Sequence, residues 1–262
     1  MNYYSINEKE KITKTKTKDK FKNLKSDFFL RKLFNNLQKN KFLDIVKYNK
    51  KIQKRLKINI NDYKEYLEIY SPIEIEIIPV FNKHGQFINI NKEDEKYFHI
   101  YFNGNKKEIK RNYLNKDDIV TTIKIIIDYQ VKAFCYLFFS CHCIESISFK
   151  KIYRNNIINM YGMFLRCTSL KELNLNNFNT NKITDMFSIF RGCSSLKELN
   201  LNNFNTNNVI NMSYLFEGCS SLEKINLSNF NTSNVTDMNS MFYGCSCLKE
   251  LNINNFDTNN VI

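Results

Sequence analysis

Five cysteines, Cys141, Cys167, Cys193, Cys219 and Cys245, stand 26 residues apart. The same step carries Leu170 to Leu196, Leu222 and Leu248, and Phe178 to Phe204, Phe230 and Phe256. Met160, Met186, Met212 and Met238 follow it, as do Phe164, Phe190, Phe216 and Phe242, and Thr180, Thr206, Thr232 and Thr258. A register kept by so many positions defines a tandem array from about Val131 onward. Such a chain can bury its apolar positions only by stacking each unit on the next.

The unit reads as a strand, a polar turn and a short helix. Leu199 and Leu201 alternate with Asn200 and Asn202, the period of a half-buried strand. Asn and Thr follow, residues suited to turns and helix caps. Val209, Met212, Leu215 and Phe216 fall on one face of a helix of about two turns. Gly218, like Gly192 and Gly244, stands where a left-handed C-terminal residue belongs. The expected fold class is therefore α/β, a right-handed solenoid with a parallel sheet and short helices. The expected boundaries are a basic disordered tail over 1–26, short helices over 27–70, a β-rich region over 71–122 that caps the array, and about five repeat units over 123–262. The first unit is degenerate and the last incomplete, so that end is expected to be continued by further sequence or covered by a partner.

The spacing L-x-x-L-x-L-x-x-F, as in Leu196–Phe204, is similar to a leucine-rich repeat. The unit FNTSNVTDMNSMFYGCSCLKELNI resembles the BspA-like class, found in bacterial surface proteins and in many protist proteins. The resemblance implies a curved leucine-rich-repeat solenoid that binds other macromolecules and has no catalysis of its own. Before the repeats, Phe29, Leu30, Leu33, Phe34, Leu37, Phe42, Ile45, Val46 and Ile52 are spaced for short amphipathic helices. With the basic segment after them they faintly resemble an F-box, which implies docking on a ubiquitin-ligase adaptor. The Leu-Pro opening and the Trp of that motif are missing.

Charge divides the chain. Up to Ile60 there are 18 basic and 5 acidic residues; from Asn61 onward there are 21 of each. Contact with nucleic acid or an anionic membrane is thus expected only through residues 1–26, whose alternative reading is a solvated tail. The longest apolar run, Ala133 to Ile144, is too short to span a bilayer and contains His142. The first residues lack the apolar core of a secretory signal. The eight cysteines are then expected to be reduced, in the cytoplasm or the nucleus.

Residues 72–130 read as β-rich. Ile73 to Ile77 alternates strictly, Tyr97 to Phe102 and Thr122 to Ile127 are strong strand formers, and Asn103-Gly104 signals a hairpin. This sheet is expected to abut the first repeat and shield its edge.

Chemistry-bearing motifs are sparse. The cysteine ladder Cys141, Cys167, Cys193, Cys219 and Cys245 fits either a disulfide or metal column or, as favoured here, thiols filling a narrow core slot. Cys135, Cys141, His142 and Cys143 are the densest candidate ligands, but their spacing is not that of zinc knuckles. His84 and His99 have no acid partner nearby in sequence. There is no phosphate loop, nucleophile elbow or H-E-x-x-H helix. No enzyme activity, cofactor or metal is expected. The reading is a protein-interaction scaffold that binds its partner through the polar strand positions: Lys171, Glu172, Asn174 and Asn176; Lys197, Glu198, Asn200 and Asn202; Glu223, Lys224 and Asn226; Lys249, Glu250, Asn252 and Asn254. The alternatives are an F-box-like substrate adaptor and a membrane- or nucleic-acid-associated protein using the basic N-terminus.

Overall fold

In the computed structural model, residues 49–262 are described. The expected tail over 1–26 and the first part, 27–48, of the short helices expected over 27–70 lie outside them. The chain divides between Leu67 and Glu68 into two compact units. Helix α1 spans Lys50–Leu56; the Asn49 side chain accepts from the Ile52 amide at its start, and left-handed Lys57 closes it. Helix α2 spans Ile60–Tyr70. Its entry is reciprocal: Asn59 Oδ1 accepts from the amides of Asn61 and Asp62, while Asp62 Oδ2 accepts from the Asn59 amide.

In the second unit, alternation sets the strands. β1 (Ile73–Pro79) buries Ile73, Ile75 and Ile77 and turns Glu74 and Glu76 to the other face. Next come β2 (Gly85–Gln86), β3 (Phe98–Phe102), β4 (Tyr113–Leu114) and β5 (Ile123–Ile127). Then β6 (Ile144–Lys151) leads to the repeat strands β7 (Glu172–Asn174), β8 (Glu198–Leu199), β9 (Lys224–Asn226) and β10 (Glu250–Asn252). The largest sheet has five strands in the order β3-β5-β1-β6-β7. β5 pairs antiparallel with both β3 and β1, and β1 pairs antiparallel with β6. The β6–β7 pair is parallel. β1 thus fills the edge that the first repeat strand would otherwise expose. On the face opposite the core, Lys124 and Lys151 meet Glu74, and Lys150 meets Glu76. β8, β9 and β10 form a separate parallel sheet, and β2 pairs with β4.

This corrects the expected fold class. The described residues form small sheets, the largest of them mixed, and not a leucine-rich-repeat solenoid of one parallel sheet with short helices. The decisive difference is in the segment read as a helix. Ser188, Tyr214 and Ser240 have φ of 55°, 56° and 52°, and Gly192, Gly218 and Gly244 have φ near 70° four residues later. Left-handed residues at that spacing cannot lie in an α-helix. The amides of Met186, Ser188, Phe190 and Gly192 donate instead to the carbonyls of Asn211, Ser213, Leu215 and Glu217, each 25 residues on. The intervening amides of Ile189, Arg191 and Cys193 donate back three residues, to Met186, Ser188 and Phe190. Two turns of helix are costly to nucleate and leave many end groups unsatisfied. A chain of linked turns satisfies the same groups against the next repeat.

The apolar positions are buried all the same. Val209, Met212, Leu215 and Phe216 are fully enclosed. Phe138, Phe164, Phe190, Phe216 and Phe242 form one column, with centroids 5.6 to 5.8 Å apart and nearly parallel rings. Thr180, Thr206 and Thr232 form another, each hydroxyl donating to a carbonyl 25 residues on and accepting the amide of the same residue. The first unit departs here. Arg154 occupies the slot of Thr180, fully buried, with Nη1 donating to the carbonyls of Val131 and Asp128. Burial pulls its pKa down to about 10.

Removing the ring of Phe190, which is enclosed between two neighbours, is expected to cost about 3–5 kcal/mol. Phe242→Ala, at a partly buried position, should cost clearly less. Urea denaturation of both variants followed by circular dichroism checks the order.

Candidate binding surfaces

The strand-face residues are all exposed, from Lys171 through Asn254. Their side chains are less free than the sequence implies. Asn174, Asn200, Asn226 and Asn252 each accept the backbone amide two residues on, closing the end of their strand. Lys171 pairs with Glu145 at 2.8 Å and Lys249 with Glu223 at 3.4 Å, both between adjacent units. The groups of this face without an ion pair or side-chain hydrogen bond among the described residues are Glu172, Asn176, Lys197, Glu198, Asn202, Lys224, Glu250 and Asn254.

The cysteine ladder lies inside. Cys141, Cys167, Cys193 and Cys219 are buried and Cys245 partly so, and all eight cysteines are free thiols. Each thiol from Cys167 to Cys245 donates to a phenylalanine carbonyl of the preceding unit: Phe138, Phe164, Phe190 and Phe216, at 2.9 to 3.2 Å. Burial raises the pKa of Cys141, Cys167, Cys193 and Cys219 far above the ordinary thiol value. Burial thus favours the neutral, donating form of these thiols.

The densest candidate ligands diverge. Cys135 is exposed, Cys141 enters the core, and the His142 ring meets the Thr168 hydroxyl at 2.8 Å. Cys143 turns to the carbonyls of Gly85 and Gln86, and burial pushes its thiol up to about 11. Among the described residues, no three His, Cys, Asp or Glu side chains could hold a metal ion. His84 is exposed. His99 does have acid partners, Glu108 at 2.9 Å and Asp128 at 3.6 Å. They are distant in sequence and reach it through the β3–β5 register and the Ile100–Ile109 bridge, which neighbouring residues could not reveal.

A second surface was not signalled by strand periodicity, because it lies on the linked turns. Tyr136, Tyr161, Phe187 and Tyr214 form an aromatic row with successive centroids 5.1, 4.6 and 5.4 Å apart. The hydrogen bond between the Tyr136 and Tyr161 side chains is the main cause that pushes the Tyr161 hydroxyl up to about 12. Beside this row, Asn89, Tyr136, Phe139, Leu165, Arg166 and Arg191 line an open groove of about 540 Å³. Asn89 fixes one wall, its amide donating to the Leu137 carbonyl and its side chain to the carbonyls of Tyr136 and Phe139. Arg191 is engaged: its Nε lies 2.7 Å from Glu217 Oε2 and its guanidinium sits over the Tyr214 ring at 4.8 Å. The signal that could have found this groove is the break in the glycine column, where Arg166 stands in place of Gly192, Gly218 and Gly244.

Residues 155–262 match the family model described as a Mycoplasma protein of unknown function, DUF285. No leucine-rich-repeat or F-box family model matches, so the BspA-like leucine-rich-repeat and F-box resemblances are set aside in favour of this likeness. No curated protein and no solved structure matches the chain. No helix of the described residues is long and apolar enough to cross a membrane.

Two outcomes test this geometry. The unfolded chain ionises its thiols above about pH 9, while the buried thiols of the folded state keep their protons. Their contribution to stability is complete below that pH. It is lost above it at up to about 1.4 kcal/mol per pH unit for each buried thiol. Urea midpoints measured from pH 7 to 10.5 should fall steeply only above 9, and Cys193→Val should flatten the fall. Arg166→Gly, which restores the glycine that the left-handed backbone favours, should leave stability unchanged or raise it by about 1 kcal/mol in the same assay.

Proposed function

We propose that the chain is a non-catalytic binding module that holds a macromolecular partner against the exposed strand face of its repeats. The observation that carries this reading is the stacking of equivalent residues: units 26 residues apart place Glu223 between Lys197 and Lys249, and Lys224 between Glu198 and Glu250. Such rows offer charges and amides at strand spacing, about 5 Å, over a broad and shallow area. The absence of a catalytic role is part of the proposal. It is supported by thiols held neutral in the core and by the dispersal of Cys135, Cys141, His142 and Cys143. A cytoplasmic or nuclear setting is likewise proposed, on the strength of eight unpaired thiols.

The test is site-directed photocrosslinking in the host cell, with a benzophenone amino acid at Asn202 of the full chain. A discrete protein adduct is expected at Asn202 and not at Lys92. The double variant Lys197→Glu/Lys224→Glu should weaken capture about tenfold, since each exposed charge contributes up to about 1 kcal/mol. Equal capture by the variant would remove the strand face from consideration.

A further inference from the structure

The turn-side groove is built by two departures from the repeat. At the position of Ser188, Tyr214 and Ser240 the second unit has Gly162. A Cβ there would lie 2.7 Å from Cε1 of Tyr136, so the glycine lets that ring lie across the backbone. One column away, where Gly192, Gly218 and Gly244 hold the left-handed conformation, the unit has Arg166 with φ of 58°. Arg166 is exposed, and among the described residues its guanidinium makes no hydrogen bond or ion pair. The acid nearest in kind, Glu217, is already taken by Arg191. Below Arg166 the floor is apolar: Leu165, with Tyr136 and Phe139 at 40% and 37% exposure.

We propose that this groove docks an extended peptide segment that carries an aromatic or aliphatic side chain next to a carboxylate. The apolar side chain lies on Tyr136, Phe139 and Leu165, and the carboxylate takes the fork of Arg166, a strong donor of the groove without an acceptor among the described residues. Nucleic acid fits less well. A phosphate chain would meet a single unneutralised guanidinium, with Glu217 and Asp185 on the same side of the repeat. The inference is independent of the strand-face reading, since the two surfaces use different segments of each unit.

The chain contains no Trp, so a Trp-containing ligand reports its own burial without background. The probe is a capped octapeptide alternating Glu with Trp and Leu, titrated with the full chain. The comparison ligands are the same peptide with Lys for Glu, and an octathymidylate. The expected result is a blue shift of Trp emission on binding the acidic peptide, with at least tenfold weaker binding of the Lys peptide. Arg166→Gly, which matches the glycine of the three following units, should weaken the acidic peptide at least tenfold while circular dichroism stays unchanged. Lys197→Glu/Lys224→Glu, on the strand face, should leave it unaltered. No saturable shift, equal binding of the two peptides, displacement by octathymidylate, or undiminished binding to Arg166→Gly would each overturn the proposal.

Discussion

The amide groups of the linked turns decide the architecture. Each of Met186, Ser188, Phe190 and Gly192 reaches a carbonyl 25 residues further on, and the same pattern runs from Phe134 to Ser140 and from Met212 to Gly218. A backbone group buried beside the core must find a partner. Here the partner is supplied by the neighbouring unit and not by the segment itself. The interior of each unit is therefore complete only when the next is in place. The phenylalanine, threonine and cysteine columns follow from that dependence, because a fixed backbone register places like beside like.

The two sides of the unit then diverge in character. On the strand side, asparagines close each short strand through their own backbone, and lysines and glutamates pair across units, so that much of the polar surface is internally occupied. On the turn side, aromatic rings stack at the surface and one guanidinium lacks an acceptor among the described residues. The antiparallel strands before the repeats contribute to the second side as well as to the core. Asn89, following β2, ties its segment to the turns of Tyr136 and Phe139. Where the two architectures meet, the chain has its least regular residues: Arg154 in a threonine slot, Gly162 in a slot otherwise held by serine or tyrosine, and Arg166 in the slot of Gly192, Gly218 and Gly244.

Much of the sheet could be read from period alone. The alternation of Ile73, Ile75 and Ile77 and the run Ile123–Ile127 correspond to strands with those residues inward. The 26-residue step places the buried columns, since burial depends only on which residues face inward. What failed is the inference from spacing to helix. Val209, Met212, Leu215 and Phe216 fall at i, i+3, i+6 and i+7, but turns bonded three residues back give nearly the same spacing as an α-helix. The difference lies in φ at Ser188, Tyr214 and Ser240, none of them glycine, which no pattern of polarity records. The acid partners of His99 and the groove beside Arg166 were invisible for a related reason: both are assembled from residues that only the register brings together.

The antiparallel join between β1 and β6 gives the array a direction. At that border the strand polarity is reversed, so another parallel unit cannot be inserted there without displacing β1. Between later units, by contrast, every link repeats at a constant offset. Gain or loss of a whole unit would leave all remaining links intact, whereas loss of a single residue would shift every column beyond it. Variation among genes coding for such chains should therefore appear as changes in unit number, with indels of other lengths confined to the segments before β6.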